Sequence, residues 1–316
     1  MAKQQRGGTP GAALHDGLVV ASHGRHCMVE TPDGTRLICH PRGKKSQALV
    51  GDRVQWQASE DEGTIEKVLP RKNLFYRQDE IRTKSFAANL DQVLILIAAE
   101  PEFSETQLTR ALIAAGAERI TPVIALNKSD LAVPFERASK RLDPYRRMGY
   151  RVLPMSLKAD GGAGHAELVE LLGGKVTLVL GPSGAGKSTL INLLVPQAQA
   201  LTGEISQALN SGKHTTTATT WYWVDEPSGT ALIDSPGFQE FGLHHIAPMQ
   251  LAQLMPDLKP HASECRFYNC THLHEPGCDV QAAVLREGEP AQPGRIEPSR
   301  YRIYRTLFEE LSQTRY

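Results

Sequence analysis

The stretch VTLVLGPSGAGKSTLIN (residues 176–192) decides how the rest of this 316-residue chain is interpreted. It contains the pattern G-x-x-x-x-G-K-[ST], which follows an apolar strand and opens the predicted helix STLINLL (188–194). In such a loop the glycines let backbone N–H groups surround phosphates at a helix N-terminus. The lysine reaches the β- and γ-phosphates, and the hydroxyl ligates magnesium. The predicted phosphate-binding residues are Gly181, Pro182, Ser183, Gly184, Ala185, Gly186, Lys187, Ser188 and Thr189.

The loop belongs to an alternation of strands and helices that predicts a doubly wound α/β domain over residues 88–246. The predicted strands with their following loops are DQVLILIAA (91–99), PVIALNKSD (122–130), RVLPMS (151–156), VTLVLG (176–181) and GTALIDSPG (229–237). Helical patterns cover 104–116, where Ser104 and Gln107 form a capping box, and 134–148, 164–172 and 187–195. Ligands of such sheets bind beyond the carboxyl ends of the strands.

A second motif at a strand end identifies the nucleotide base. IALNKSDL (124–131) supplies N-K-x-D. The Asp130 carboxylate can accept the N1–H and the exocyclic amine of guanine, a donor pair that adenine lacks on that edge. Lys128 can lay its methylenes against the base, and Asn127 can tie the loop to its neighbours. The loop PMSLKADGG (154–162) can supply a backbone N–H near the guanine carbonyl through Ser156 and Leu157.

Two further loops complete a GTP-hydrolysing set. DSPG (234–237) supplies D-x-x-G, which places Asp234 near magnesium and offers the Gly237 N–H to the γ-phosphate. KHTTT (213–217) carries threonines that can close over magnesium; Thr216 is the preferred residue, and Thr215 and Thr217 stay open as alternatives. Ser188 and Thr216 are the expected magnesium ligands.

These motifs occur in a rotated order. GTPases usually run P-loop, switch threonine, D-x-x-G, N-K-x-D and serine loop, whereas here N-K-x-D (127–130) and the serine loop (156) precede the P-loop (181–188). The same site can form if the chain is cut and rejoined elsewhere. A circularly permuted P-loop GTPase domain is therefore predicted, with its base-reading half upstream.

The region before this domain predicts a small β-barrel. Five short strands are expected at 17–21, 25–30, 35–40, 52–58 and 63–69, which fits an OB-type barrel over residues 15–76 better than the SH3-like alternative. Residues 1–14 are expected to form a disordered tail. Residues 1–84 carry 14 Lys/Arg against 10 Asp/Glu, and a basic loop with Arg42, Lys44 and Lys45 could meet phosphates or simply be solvated.

The region after the domain, residues 247–316, predicts a helical module built around a metal. ECRFYNCTHLHEPGC (264–278) reads C-x4-C-x-H-x5-C, and thiolate with imidazole ligands favours tetrahedral zinc. Cys265, Cys270 and Cys278 are the candidate thiolates. Spacing leaves His272 and His274 open as the fourth ligand, and three incidental thiols are the alternative. A terminal helix is expected near 298–313.

Composition points to a cytoplasmic protein. The chain has 35 basic and 35 acidic residues, its first residues lack the apolar region of a secretory signal, and its longest apolar run, VLILIAA (93–99), is too short to span a bilayer. No membrane partner is expected. A cysteine cluster in a reducing compartment also suggests metal rather than disulfides.

Four features occur together in this chain: the rotated motif order, the G-[KR]-H-T-T loop at 212–216, VGDRV (50–54) in the barrel, and the cysteine module. In this combination the chain resembles the RsgA (YjeQ) family of circularly permuted GTPases that depend on the small ribosomal subunit. The resemblance covers almost the whole chain. It implies a GTP hydrolase that acts as a late assembly checkpoint on the small (30S) subunit, binds rRNA, and is stimulated by the subunit. It also implies GTP or GDP with Mg²⁺, and one structural zinc held by Cys265, Cys270, His272 and Cys278. Nothing in the sequence demands a dimer, so a monomer is expected.

The residue after D-x-x-G bears on hydrolysis. Ras-like enzymes place there a glutamine that orients the attacking water, and this chain has Phe238. Slow intrinsic hydrolysis is expected, with His214 or a partner positioning the water. Two other functions stay open at this point: a P-loop kinase, which gives N-K-x-D no purpose, and an RNA-binding protein whose nucleotide site does not turn over.

Overall fold

The computed structural model of the protein describes residues 13–23, 26–43, 47–59, 62–158, 162–208, 219–236, 238 and 241–313. Several sequence predictions fall elsewhere: those for residues 1–12 of the tail, Lys44, Lys45, His214, the three threonines at 215–217 and Gly237 lie outside these residues. Within the described ranges, none of the helices combines the length and apolar character that a membrane span requires.

The N-terminal region forms the predicted OB-type barrel. Its strands are β1 (His15–His23), β2 (His26–Glu30), β3 (Arg36–Pro41), β4 (Arg53–Ala58) and β5 (Gly63–Val68). They pair in the order β1-β2-β3-β5-β4, and β4 pairs back onto β1, which closes the barrel. Alternating positions on these strands point inward; the buried apolar side chains there include Val19, Val29, Val54, Trp56 and Ile65.

A hairpin that the sequence did not predict follows the barrel. Strands β6 (Leu74–Gln78) and β7 (Thr83–Ala88) pair with each other in a separate two-stranded sheet. Phe75 and Phe86 are buried within it, with ring centroids 5.6 Å apart, and both contact Phe241. Charged residues near the turn obscure the strand pattern in the sequence, which is why no strand is predicted there.

The central region is a six-stranded sheet flanked by helices. In chain order its strands are β8 (Gln92–Ala98), β9 (Thr121–Asn127), β10 (Arg151–Pro154), β11 (Val176–Leu180), β12 (Thr219–Asp225) and β13 (Thr230–Asp234). In space they run β10-β9-β8-β11-β13-β12, and all neighbours are parallel except β13 and β12. Strand β12 also pairs antiparallel with β1 of the barrel, so both regions share one continuous sheet.

The helices of this region largely follow the predicted positions. They are α1 (Glu105–Ala117), α2 (Ala132–Arg141), α3 (Asp143–Arg147), α4 (His165–Leu172), α5 (Lys187–Leu194) and α6 (Ala198–Ala208), the last of which was not predicted. Ser104 caps α1 by accepting from the N–H of Gln107 at 3.3 Å. The single helix expected over 134–148 is instead two helices, because Pro144 begins a new helix more readily than it continues one.

The C-terminal region is helix and loop, as expected. It contains short 3₁₀ turns at Pro248–Gln250 and Ala252–Leu254, then α7 (Lys259–Ala262), α8 (Asp279–Ala283) and α9 (Pro298–Ser312). Arg300 on α9, only 2% exposed, donates to Asp257 at 2.8 Å and to Thr109 of α1 at 2.6 Å, and its guanidinium lies over the Tyr145 ring. This buried network attaches the C-terminal region to the central domain.

Candidate nucleotide site and metal cluster

A cavity of about 860 Å³ lies beyond the carboxyl ends of β9, β10 and β11, where a doubly wound sheet binds its ligands. It collects twelve of the thirteen residues predicted to bind nucleotide: Asn127, Lys128, Asp130, Ser156, Gly181, Pro182, Ser183, Gly184, Gly186, Lys187, Ser188 and Thr189. The thirteenth, Ala185, is a buried residue of the P-loop itself. Asn127 and Thr189, which are 62 positions apart in the chain, therefore share one cavity.

The phosphate-binding loop runs from the end of β11 to the first turn of α5, and two of its glycines are required by close contacts. A Cβ on Gly181 would lie 2.4 Å from the Leu96 carbonyl oxygen. Gly186 has a left-handed backbone (φ 104°), and a Cβ there would lie 2.5 Å from the Asn127 side-chain nitrogen. Only glycine fits both positions without moving the neighbouring strands.

At the base end of the cavity, Asn127 links three loops. Its side-chain N–H donates to the Ala185 carbonyl at 2.9 Å, and its side-chain oxygen accepts from the backbone N–H groups of Lys128 at 2.7 Å and Leu157 at 3.2 Å. Lys128 adopts a left-handed φ of 69° and donates to the Glu100 carbonyl at 2.5 Å. The N-K-x-D loop, the serine loop and the P-loop are thus hydrogen-bonded to one another.

Asp130 is held in its ionised form at the mouth of the cavity. Lys158 forms an ion pair with one carboxylate oxygen at 2.8 Å, and the Ser156 hydroxyl donates to the other at 2.8 Å. The hydrogen bonds from Lys158 and then Ser156 lower the pKa of Asp130 below its usual value. A carboxylate has about four lone-pair sites, so acceptor capacity remains for two donors of a base.

At the phosphate end, Lys187 is paired within the protein. Its ammonium donates to the Asp234 carboxylate at 2.5 Å and to the Ser235 carbonyl at 3.3 Å. Asp234 and Ser188 therefore present oxygen atoms, the ligand type that magnesium prefers, beside the lysine of the P-loop. Phe238 is 4% exposed and packs towards Phe241, with ring centroids 6.4 Å apart. Its side chain offers no hydrogen bond to a water molecule.

The cysteine cluster of the C-terminal region has the geometry of a tetrahedral metal site. The ligand atoms of Cys265, Cys270, His272 and Cys278 all lie within 4.8 Å of one another. The sulfurs of Cys265 and Cys278 are 3.8 Å apart, and each lies 3.4–3.5 Å from Nδ1 of His272. A tetrahedral zinc with Zn–S bonds of about 2.3 Å would hold its sulfurs about 3.8 Å apart, so the four side chains fit zinc. His274 is exposed and outside the cluster.

Comparison with known proteins agrees with the site. The sequence pattern of the RsgA GTPase family matches residues 68–244. The chain is 78% identical over 309 residues to a small ribosomal subunit biogenesis GTPase RsgA of Variovorax paradoxus, an alignment covering 98% of this chain and 96% of that one. The chain belongs to the RsgA GTPase family. A further RsgA, from Paraburkholderia phytofirmans, is 50% identical with 96% of both chains covered.

Solved structures of RsgA-type proteins share the fold. YjeQ from Thermotoga maritima superposes with a TM-score of 0.71 at 30% identity, covering 96% of this chain and all of that chain. YloQ, described as a circularly permuted GTPase, superposes with a TM-score of 0.68 at 26% identity, covering 96% and 98%. The chain is accordingly a GTP hydrolase with a circularly permuted domain. The predicted fold class, with its OB-type barrel, permuted GTPase domain and C-terminal helical module, is confirmed.

Some residues around the site were missed by sequence reasoning. Lys158 lies within the quoted serine loop, and its position two residues after Ser156 was the available signal. Lys84 of β7 donates to the Pro236 carbonyl of the D-x-x-G loop at 2.5 Å. It could not be found from the sequence, because the hairpin carrying it was not predicted and the contact spans 152 positions.

Proposed function

We propose that this RsgA GTPase acts as a late assembly factor and checkpoint on the small (30S) ribosomal subunit, binds its rRNA, and hydrolyses GTP faster when bound to it. One observation carries the proposal: the likeness to RsgA of Variovorax paradoxus, named for small ribosomal subunit biogenesis, extends over 98% of the chain. The barrel and the cysteine module are therefore shared along with the nucleotide site.

Each residue of the cavity takes a distinct role in this proposal. Asp130 accepts from guanine, Lys128 covers the base, and Asn127 and Ser156 hold the surrounding loops. The P-loop, residues 181–189, surrounds the phosphates, and Lys187 leaves Asp234 to reach the β- and γ-phosphates. Magnesium, when bound with GTP, neutralises charge that develops on the phosphates. Ser188 and Thr216 would hold the magnesium, with Asp234 nearby, and Gly237 would offer its N–H to the γ-phosphate.

The buried phenyl group of Phe238 is the physical reason for expecting a partner. Orientation of the attacking water requires a hydrogen-bonding group, which Phe238 lacks. His214 is the candidate within the chain, and the bound subunit completes or orders the site. Stimulation by the subunit then couples hydrolysis to docking, so that GDP and phosphate form much faster on the correct partner than in the free protein.

The outer regions supply the contacts to rRNA. The barrel belongs to a fold class that binds oligonucleotides, and Arg42 is exposed at its surface. The zinc ion, held by Cys265, Cys270, His272 and Cys278, is structural because all four positions are taken by protein. In this proposal the three domains span residues 15–76, 88–246 and 247–316, after a tail at 1–14. The protein is cytoplasmic and monomeric.

The test is release of phosphate from GTP and from ATP, with and without purified small subunits. Strong stimulation confined to GTP supports the proposal. Equal use of ATP, or a GTP rate that the subunit leaves unchanged, contradicts it. Large subunits at the same concentration are the matched control for non-specific RNA.

The metal assignment has its own test. Metal content of the purified protein should be one zinc per chain in the wild type and in His274→Ala. His272→Ala and Cys270→Ser should lose zinc and lower the thermal stability of the C-terminal region. Equal zinc loss from both histidine variants would contradict the ligand set.

A further inference from the structure

Two cations of the hairpin face each other near the D-x-x-G loop. Arg77 on β6 and Lys84 on β7 are directly opposite in the antiparallel register. Side chains of opposite residues lie on the same face of a hairpin, and like charges in such a pair are destabilising. A compensating anion would relieve this repulsion.

The guanidinium of Arg77 has unused donors. The side chain is 12% exposed, and its one ion-pair partner among the described residues is Asp79, at 3.7 Å from Nη2. Its Nε and Nη1 atoms are buried, and no residue in the described part of the chain accepts from them. Buried donors without partners are rare and costly, so the position suggests a ligand with oxygen atoms.

Lys84 connects this pair to the phosphate end of the cavity. Its ammonium contacts the Pro236 carbonyl, two residues beyond Asp234, whose carboxylate is paired with Lys187. Burial lowers the pKa of Lys84, and the positive charges of Arg77 and Lys187 lower it further. Two cations, Lys84 and Lys187, therefore contact the D-x-x-G loop, and Arg77 lies opposite Lys84.

We propose that Arg77 and Lys84 form a second cationic subsite at the phosphate end, which takes a phosphoryl anion: the terminal phosphate of bound GTP, or the inorganic phosphate released from it. This inference rests on the proposed placement of the phosphates beside Lys187. A phosphoryl group has several charged oxygens and can accept from the planar guanidinium and from the ammonium together. The hairpin then contributes directly to discrimination between GTP and GDP.

The variants are Arg77→Met and Lys84→Met, which keep side-chain length and remove the donors. Arg82→Met is the matched control, because Arg82 is an exposed cation of the same hairpin. The affinities of a non-hydrolysable GTP analogue and of GDP are measured by calorimetry for each folded variant. If the subsite takes the terminal phosphate, both variants lose about tenfold in affinity for the analogue and keep the GDP affinity of the wild type.

The second arm detects released phosphate. If the subsite takes the product instead, inorganic phosphate tightens GDP binding and inhibits hydrolysis in the wild type, and both effects disappear in the two variants. Unchanged analogue affinity together with unchanged phosphate inhibition overturns the proposal. Equal losses for the analogue and GDP also overturn it, because they indicate a structural role. If Arg77→Met does not fold, Lys84→Met alone decides the outcome, because it removes the other cation of the subsite.

Lys187→Ala separates this proposal from the proposed function. If Lys187→Ala loses the GTP analogue while the hairpin variants bind like the wild type, the nucleotide site stands and the second subsite is refuted. If Lys187→Ala binds the analogue like the wild type, the phosphates lie elsewhere and both proposals fail.

Discussion

The base end and the phosphate end of the cavity hold their polar groups in different ways. At the base end, Asn127 and Asp130 bond to the loops that surround them, and an incoming base needs only the remaining lone pairs of Asp130. At the phosphate end, Lys187 is hydrogen-bonded to Asp234. When nucleotide binds, Lys187 must exchange this partner for a phosphate. We infer that the base end is ready for its ligand, whereas the phosphate end changes its ion pairs as nucleotide binds.

The largest effect is expected from Lys187→Ala. Loss of this ammonium removes the positive charge that would pair with the phosphates, and it also leaves Asp234 without its ion-pair partner. The rate of GTP hydrolysis should therefore fall by about a hundredfold or more. Single-turnover hydrolysis measures it, with Lys158→Ala as the matched lysine at the base end. A similar fall in the hydrolysis rate of both variants would contradict the proposed difference between the two ends.

Asp130→Asn tests the base end. An amide replaces one acceptor by a donor, which suits the 2-carbonyl of xanthine rather than the 2-amine of guanine. GTP affinity should fall by about a hundredfold, and affinity for xanthosine triphosphate should rise. Competition titrations with both nucleotides check this result. Loss of both nucleotides alike would show that Asp130 supports the loop and does not select the base.

Asn127→Ala tests how strongly the preformed arrangement of loops at the base end depends on the Asn127 side chain. The substitution removes three hydrogen bonds, two of which join Asn127 to other loops, so the free energy of unfolding should fall by about 2 kcal/mol. Denaturant titration measures this, and Asn269→Ala, at an exposed position, is the control. Unchanged unfolding with weakened nucleotide binding would instead assign Asn127 to the ligand alone.

Lys158→Ala should have the smallest effect. The exposed ion pair contributes little, so GDP affinity at neutral pH should fall by about twofold or threefold. Because Lys158 is the main cause of the lowered pKa of Asp130, its loss raises that pKa towards the ordinary value. Guanine binding requires the carboxylate, and the loss of affinity on acidification should therefore begin at a higher pH than in the wild type. Coincident pH profiles of the two proteins would contradict this account.

The sequence predicts site residues most accurately where a motif directly follows a predicted strand. Asp130 and Lys187 follow apolar strands, and carboxyl ends of parallel strands meet at one edge, so their shared cavity could be expected before the structure. The choice between His272 and His274 came from the family resemblance, and the cluster geometry agrees with His272. His214, Thr216 and Gly237 lie outside the described residues, and their roles stay predictions.

What the sequence did not reveal depends on contacts between distant segments. Gln78 pairs with Leu243, and its N–H donates to the Gly242 carbonyl, so the hairpin is stabilised by residues more than 160 positions away. Polar residues such as Arg77 interrupt the alternation that identifies a strand. Pro144, in contrast, did carry a readable signal, and the two-helix arrangement of α2 and α3 follows from its missing N–H.

The sheet that joins the barrel to the GTPase domain also affects aggregation. A sheet that stops at an unpaired strand exposes backbone N–H and C=O groups to which another chain can add. Here β1 pairs with the start of β12, at Thr219 and Thr220, and the barrel closes on itself. At the opposite side of the nucleotide sheet, within the described ranges, β10 is the edge strand; it has four residues, begins at exposed Arg151 and ends at Pro154, which cannot donate. The barrel thus pairs with the first two residues of β12, and its removal would free the backbone groups of Thr219 and Thr220 for pairing with another chain.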